Sequence, residues 1–275
     1  MLPVLEAIEL TDRQFNEISE LVGRLCGINL HDGKKELVKA RLSKRLRALG
    51  LRDFNQYLAY INSEHGPEEI ALMLDAVSTN LTFFFRESTH LEYLRDEILP
   101  VLSKRPQKKL RIWSAGCSSG EEPYSIAMTL CDYLGDIAAW DARILATDLS
   151  TKVLAACKEG VYTRDRFRQT PQRFIDKYFD CVQRGQAMFK VSAALRRLVT
   201  FARLNLMETW PMKGPFDVIF CRNVMIYFDK ATQGRLVERF YNILAPGGIL
   251  MIGHSESLTG VKHKFHYVRP TIYRK

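Results

Sequence analysis

A glycine-rich turn between a predicted strand and a predicted helix is the first feature that can bind a small molecule. The strand covers Leu110 to Ala115, and the turn that follows it contains Gly116 and Gly120. Pro123 suits the first turn of the next helix. In a doubly wound sheet, such a turn lets the backbone approach a nucleotide-like ligand closely, so we expect a ligand here.

A carboxylate ends the next predicted strand. Asp148 follows the turn by about 30 residues and can accept hydrogen bonds from both ribose hydroxyls of an adenosine. Dinucleotide enzymes and S-adenosylmethionine enzymes share this combination of a glycine turn and an acid. Taken alone, Asp148 is better explained as a cap on the helix that follows it.

Two details favour S-adenosylmethionine over a phosphate-bearing cofactor. The turn lacks the Gly-x-Gly-x-x-Gly spacing that seats a pyrophosphate on a helix N-terminus. Glu121 and Glu122 lie at that N-terminus, where their charges would repel phosphates. A ligand with an ammonium group and a sulfonium group tolerates these carboxylates better.

Composition narrows the class of protein. The 275 residues carry a net charge of +9, which favours an acidic partner such as a nucleic acid, an anionic membrane surface or an acidic protein. The six cysteines are scattered without metal-binding spacing, so we expect no metal and mostly buried thiols. No apolar run reaches 18 residues, and the N-terminus does not resemble a signal peptide, so we expect a cytoplasmic protein without membrane insertion.

The chain changes character along its length. Residues 1–80 predict a helical domain, with helices after the Thr11 cap, over Lys34 to Leu49, around Phe54 to Asn62 and over Glu68 to Val77. Residues 81–106 predict a linker and a helix that contributes to the cofactor site. Residues 107–275 alternate strands and helices, as in a parallel α/β sheet, with a long helix ending near Leu244 and a strand from Gly248. Residues 180–195 interrupt the alternation with a β-hairpin that turns at Arg184-Gly185-Gln186.

Seven longer motifs occur in order over nearly the whole chain. They are Asn80–Glu87, Trp113–Met128, Ala146–Ser150, Asn205–Leu206, Phe216–Asp229, Pro246–Gly248 and Gly253–Ser257. Together they resemble the signature of the CheR family of chemotaxis receptor methyltransferases. The resemblance implies a Rossmann-like class I methyltransferase sheet with a small all-helical N-terminal domain and a small β-hairpin subdomain insertion.

The resemblance also implies an activity and its residues. Such enzymes transfer a methyl group from S-adenosyl-L-methionine to glutamate side chains in the cytoplasmic domain of methyl-accepting chemotaxis receptors, and S-adenosyl-L-homocysteine is the other product. The implied catalytic pair is Arg86 and Tyr227. The implied cofactor-binding residues are Asn80, Thr82, Arg86, Glu122, Asp148, Asn205, Leu206, Arg222 and Asn223. Whether Glu121 or Glu122 faces the ligand stays open.

The chemistry of a carboxylate acceptor fits these roles. A glutamate is already ionised at neutral pH, so it needs no general base. What remains is to remove its water and to aim one oxygen at the methyl carbon. We expect Arg86 to bind the other oxygen and Tyr227 to fix the angle by a hydrogen bond. Each residue also has a structural alternative, such as a buried tyrosine at 227 or a strand end at Arg222 and Asn223.

The predicted helix from Lys34 to Leu49 is strongly basic. We expect it to contact the acidic receptor through five cations, and the alternative is a solvated surface. These cations are Lys39, Arg41, Lys44, Arg45 and Arg47. Replacing both Arg45 and Arg47 by glutamate should then raise the KM for receptor far more than the KM for cofactor. The hairpin turn has a single glycine, which favours an enzyme that needs no receptor tether, and we expect a monomer.

Three other classes remain open from sequence. A nucleic-acid methyltransferase would use the basic charge, but its Pro-Cys and Asn/Asp-Pro-Pro-aromatic motifs are absent from the sequence. A catalytically silent S-adenosylmethionine-binding signalling module would not need Arg86 and Tyr227. A nicotinamide dehydrogenase is disfavoured by the glycine spacing. Salt-sensitive binding of DNA or RNA would identify the first of these, and cofactor binding without methyl transfer the second.

Overall fold

A computed structural model describes residues 8–183, 185 and 187–275, and these residues form two compact units. One unit extends to Thr79 and includes Tyr227–Asp229. The other comprises Asn80–Ile226 and Lys230–Lys275. Among the described residues, no helix is both long enough and apolar enough to cross a membrane.

The first unit is helical. Its helices are α1 (Asp12–Cys26), α2 (Lys35–Ala48), α3 (Phe54–Ile61) and α4 (Gly66–Val77), with a 3-10 turn over Asp32–Lys34. Thr11 caps α1 as predicted, since its hydroxyl accepts the N–H of Gln14 at 3.3 Å while Gln14 Oε1 accepts the N–H of Thr11 at 2.9 Å. Val38, Leu42 and Leu46 form the buried face of α2, which packs against α4. The four predicted helices are confirmed.

The second unit combines helices with two sheets. Its helices are α5 (Thr89–Tyr93), α6 (Leu99–Leu102), α7 (Glu121–Leu134), α8 (Thr151–Glu159), α9 (Gln172–Tyr178), α10 (Ala193–Arg196) and α11 (Lys230–Ile243), and a π-helical turn over Leu94–Ile98 joins α5 to α6. Its strands are β1 (Lys109–Ala115), β2 (Asp141–Asp148), β3 (Val161–Thr163), β4 (Phe179–Gln183), β5 (Met188–Val191), β6 (Val199–Arg203), β7 (Phe216–Cys221), β8 (Leu244–Ile252), β9 (His266–Arg269) and β10 (Ile272–Arg274).

The large sheet has seven strands in the order β6-β2-β1-β7-β8-β10-β9. The first five strands are parallel, as predicted, and β10 pairs antiparallel with both β8 and β9. Every residue of β7 is buried, including Asp217, whose carboxylate binds Arg105 and the N–H of Arg111. The unit therefore has the Rossmann-like α/β architecture expected from sequence.

The small sheet is broader than the predicted hairpin. Its order is β3-β5-β4 with antiparallel pairing, so β3 joins it from well before residue 180. A three-residue strand has too little pattern to be recognised from sequence. The end of the predicted range forms α10, and the predicted turn residues Arg184 and Gln186 lie outside the described residues.

The start of β8 also differs from expectation. Leu244 was expected to end the long helix, but it already pairs with Phe216 of β7. The pairing then shifts, and Ile249 lies opposite Val218. Pro246, Gly247 and Gly248 therefore form an irregular part of the strand rather than a loop before it.

Candidate active site

The glycine-rich turn lies at the carboxyl end of β1, where the strand order reverses. Because β1 lies between β2 and β7, the chain crosses over in opposite directions on its two sides, and doubly wound sheets bind ligands in the crevice that results. Gly116 has a φ of 87° and Gly120 a φ of 98°. A Cβ on Gly116 would lie 2.4 Å from Cγ2 of Val224, so glycine is required for this close approach.

Asp148 lies beside this turn at the end of β2. Its Oδ2 accepts the N–H of Ser118 at 2.8 Å, and its Oδ1 accepts the N–H of Ser150 at 3.0 Å. Helix α8 is capped by Ser150, whose hydroxyl accepts the N–H of Val153. The alternative in which Asp148 serves as the cap is therefore wrong, and its role towards a ribose stays a prediction.

Arg222 is the centre of a charged network. Its side chain is only 3% exposed. The Nε and Nη2 atoms donate to Oε2 of Glu87 at 3.3 and 3.1 Å, and Nη1 donates to Oε2 of Glu122 at 3.0 Å. Nη2 also donates to the main-chain oxygen of Arg86. One buried cation thus holds two carboxylates and the backbone of the predicted catalytic arginine.

Glu87 is the site residue that sequence reasoning missed. Besides Arg222, its carboxylate accepts Nδ2 of Asn223 at 3.2 Å and the N–H of His254 at 3.2 Å. Burial alone would raise the pKa of Glu87, but the charge of Arg222 and the hydrogen bonds from Asn223 and Arg222 hold that pKa below its usual value. The available signal was its place next to Arg86 in a recognised motif.

Left-handed backbone is concentrated at this site. Phe85, Glu87, Ser118 and Asn223 have φ values of 58°, 52°, 49° and 59°. Each such residue other than glycine costs on the order of 1 kcal/mol or more, and it persists only where its surroundings determine it. Arg222 and Asn223 provide that constraint at Glu87 by binding its carboxylate.

The two glutamates at the start of α7 have different partners. Oε1 of Glu122 accepts the hydroxyl of Ser114 at 2.6 Å, so Glu122 joins the network around Arg222. Burial raises the pKa of Glu122, although the charge of Arg222 acts in the opposite direction. Glu121 is buried elsewhere, with the Ser119 hydroxyl at 2.7 Å and Arg166 Nη1 at 3.4 Å.

Arg86 is the more accessible arginine of the network. Its side chain is 28% exposed, Nη1 donates to the main-chain oxygen of Leu81 at 2.8 Å, and Nε lies 4.0 Å from Oε1 of Glu87. At that distance Glu87 offsets the positive charge only in part. A guanidinium in this position can bind an incoming carboxylate.

The other predicted cofactor residues lie around the same strand ends. The main-chain oxygen of Asn80 accepts the Ser118 hydroxyl at 2.9 Å, and that of Thr82 accepts Nη1 of Arg166 at 3.0 Å. Asn205 and Leu206 are buried directly after β6, where the N–H of Leu204 donates to the main-chain oxygen of Asp148 at 3.0 Å. The second unit thus contains all nine predicted cofactor residues, which come from distant motifs of the chain.

Glu87, His90 and His254 are close enough to be considered as metal ligands, with their ligand atoms within 4.8 Å of one another. Both oxygens of Glu87 already accept hydrogen bonds, and Arg222 lies 3.1 Å from one of them. His90 Nε2 bonds to the Thr271 hydroxyl, while Nδ1 lies 3.6 Å from Glu87. A cation bound here would compete with Arg222 for Glu87.

Tyr227 belongs to the helical unit. Its main-chain oxygen accepts the N–H of Asn29 at 2.7 Å, and the amino group of Lys34 lies 4.7 Å from the centre of its ring. The side chain is partly exposed, so the alternative of a buried structural tyrosine is wrong. Its catalytic role stays a prediction.

The five predicted receptor-binding cations of α2 differ in their partners and exposure. Arg45 forms two hydrogen bonds with Glu69, at 3.0 and 2.6 Å. Arg41 Nη1 donates to three carbonyl oxygens at the end of α4, and Lys39 pairs with Glu9 at 2.8 Å. Lys44 and Arg47 are exposed. Three of the five cations therefore have partners within the unit, and the receptor contact predicted for all five stays a prediction.

Comparison with known proteins identifies both parts of the chain. Residues 80–274 match the family model described as "CheR methyltransferase, SAM binding domain", and residues 13–78 match "CheR methyltransferase, all-alpha domain". A probable chemotaxis protein methyltransferase of Rhizobium etli is 44% identical, over 90% of this chain and 94% of its own. Chemotaxis protein methyltransferases of Borreliella burgdorferi and Escherichia coli are 40% and 39% identical, over 98% and 99% of this chain and 96% and 94% of theirs. The chain therefore belongs to the CheR methyltransferase family and is an S-adenosylmethionine-dependent methyltransferase.

Proposed function

We propose that this enzyme esterifies glutamate side chains in the cytoplasmic domain of methyl-accepting chemotaxis receptors. The observation that carries the proposal is the network of Arg86, Glu87, Glu122 and Arg222, in which the nearly buried guanidinium of Arg222 binds two carboxylates and the guanidinium of Arg86 remains accessible. An acceptor carboxylate can bind at that guanidinium. The names of the relatives, chemotaxis protein methyltransferases, support a chemotaxis receptor as the acceptor.

The residues present fit S-adenosylmethionine. The acids at the start of α7 disfavour phosphate, which S-adenosylmethionine lacks. Asp148, Asn205 and Leu206 would hold the adenosine end, and Glu122 and Arg86 the amino acid end. When bound, the cofactor supplies a methyl carbon on a cationic sulfur, and transfer to a carboxylate oxygen leaves a neutral thioether and a neutral ester.

Arg86 would bind one oxygen of the acceptor and leave the other oxygen free to attack. No residue of the site needs to remove a proton, because the acceptor is already ionised. Arg222 binds both Glu87 and Glu122, so neither carboxylate has to leave the site when an anionic acceptor enters. A contribution from Tyr227, and receptor binding by Lys44 and Arg47, remain part of this proposal.

Labelled S-adenosylmethionine and membranes enriched in chemotaxis receptors test the proposal. Release of the label as methanol in mild alkali is expected, because methyl esters hydrolyse under those conditions. Alkali-stable label on protein or on added nucleic acid would overturn the acceptor assignment. Binding of S-adenosylhomocysteine without any transfer to receptor would support the silent signalling module instead.

A pair of variants tests the role of Arg86. Arg86→Ala should lower kcat by about a hundredfold at saturating cofactor and receptor, whereas Arg95→Ala should leave it unchanged. Arg95 is a suitable control because it is a surface residue paired with Asp96 at 2.6 Å. A near-normal kcat for Arg86→Ala would show that the accessible guanidinium does not bind the acceptor.

A further inference from the structure

The turn that follows β6 carries two predicted cofactor residues and is shaped by its own side chains. Oδ1 of Asn205 accepts the N–H of Met207 at 3.0 Å, and Nδ2 of Asn205 donates to Glu208 at 3.1 Å. The N–H of Glu208 donates to the main-chain oxygen of Asn205 at 3.1 Å. These bonds define the turn but do not attach it to the rest of the unit.

Arg239 attaches the turn to helix α11. Its Nη1 donates to the main-chain oxygen of Leu206, and its Nη2 donates to the main-chain oxygen of Glu208. The guanidinium carbon also lies 3.9 Å from the centre of the Trp210 ring. A single side chain therefore contacts the turn at Leu206, Glu208 and Trp210.

Trp210 extends this contact into the core. Its Nε1 donates to the main-chain oxygen of Leu206 at 3.3 Å, so Leu206 receives bonds from both Trp210 and Arg239. The ring packs edge-on against buried Trp113, at 4.8 Å between centroids, and lies 5.4 Å from Phe240. Trp113 belongs to β1, the strand that leads into the glycine-rich turn.

The choice of arginine follows from geometry. Burial opposes the charged form of Arg239 and lowers its pKa. Two main-chain carbonyls and the face of the Trp210 ring bind the guanidinium. A guanidinium offers parallel N–H donors in a plane and can stack on a ring at the same time. A lysine at this position would provide one point charge and could not make all three contacts.

We propose that Arg239 is a positioning residue for the adenosine end of the cofactor site. It holds the backbone of Leu206 and Glu208 at a set distance from β1, and so fixes the turn on which Asn205 and Leu206 meet the cofactor. The inference rests on the proposed cofactor contacts of Asn205 and Leu206. Arg239 itself touches neither the reacting atoms nor the acceptor.

Three variants of the full chain test this role. Arg239→Gln and Arg239→Lys should both raise the Kd of S-adenosylhomocysteine and the KM of S-adenosylmethionine by about tenfold. The kcat at saturating cofactor and the KM for receptor should stay within about twofold of the parent values. Arg235→Gln is the matched control, since Arg235 lies one turn earlier on α11 and donates only to the Thr232 hydroxyl among the bonds described for it.

Binding of a cofactor fragment shows whether Arg239 acts on the adenosine end of the site or only on the stability of the unit. The Ki of methylthioadenosine, which retains the adenosine, should rise by the same factor as the Kd of S-adenosylhomocysteine in Arg239→Gln. An unchanged Kd, or equal losses in kcat and in both KM values, would overturn the role of Arg239. If Arg239→Gln does not fold, Arg239→Lys supplies the same measurements.

Leu206→Ala distinguishes the two levels of the proposal. If Leu206→Ala weakens S-adenosylhomocysteine binding while both Arg239 variants bind normally, only the inference on Arg239 fails. If Leu206→Ala and the Arg239 variants all bind normally, the cofactor contact proposed for this turn fails as well.

Discussion

Charge reversal at Arg45 should strongly destabilise the helical unit, whereas the same change at Arg47 should not. Both arginines lie on α2 and both were expected to bind receptor. Arg45, however, is bound by Glu69 at 2.6 and 3.0 Å, and Glu69 is 3% exposed. The Tyr57 hydroxyl donates to the same carboxylate at 2.8 Å, so Glu69 keeps one neutral partner when Arg45 is removed.

The size of the effect follows from these contacts. Removal of one partner of a buried ion pair costs about 3–5 kcal/mol. Because Arg45 is 24% exposed and Tyr57 still binds Glu69, removal of Arg45 should lower the free energy of unfolding by about 3 kcal/mol. A new glutamate beside Glu69 adds repulsion. A unit of this size has a free energy of unfolding on the order of 5 kcal/mol, so most of it would be lost.

Thermal unfolding followed by circular dichroism, together with receptor methylation kinetics, provides the assay. Arg45→Glu should lower the Tm of the helical transition by more than about 10 °C. Arg47→Glu should leave the Tm unchanged and raise the KM for receptor, with a smaller difference at high salt. A parental Tm for Arg45→Glu would refute the assignment of its charge to Glu69.

Three further predictions concern the second unit. Glu87→Gln should lower kcat by about thirtyfold, equivalent to about 2 kcal/mol, because Arg222, which binds the backbone of Arg86, loses one of its two charged partners; an unchanged kcat would contradict this. Gly116→Ala should destabilise the unit by more than about 2 kcal/mol in urea unfolding, while Gly135→Ala, also at positive φ but with open space around it, should cost about 1 kcal/mol; equal losses would exclude the clash with Val224. Burial lowers the pKa of His90 to about 3, so the unfolded state binds more protons below pH 6.5, and stability should fall by up to about 1.4 kcal/mol per pH unit from pH 6.5 downwards. Urea unfolding at pH 7.5, 6.5 and 5.5 should show this contribution in the parent but not in His90→Gln, and identical pH profiles would contradict it.

The fold could be predicted largely from local patterns. The Thr11 cap, the apolar face of α2 and the glycine turn after β1 each depend on neighbouring residues, and local rules apply to them. The small sheet was only partly predicted, because β3 is short and its partner β5 lies about 27 residues further along the chain.

The sequence by itself determined the class of fold, the family and a set of candidate site residues that lacked Glu87, since motifs and periodicity can be recognised within short windows. Only the tertiary structure decided which of those residues are paired with each other and which remain accessible. Arg45 is separated by 24 residues from the glutamate that uses its charge, and Arg222 by 135 residues from Glu87. Whether a charged side chain is free to bind a partner depends on which distant group the fold places beside it, because a buried charge has to be compensated where it lies.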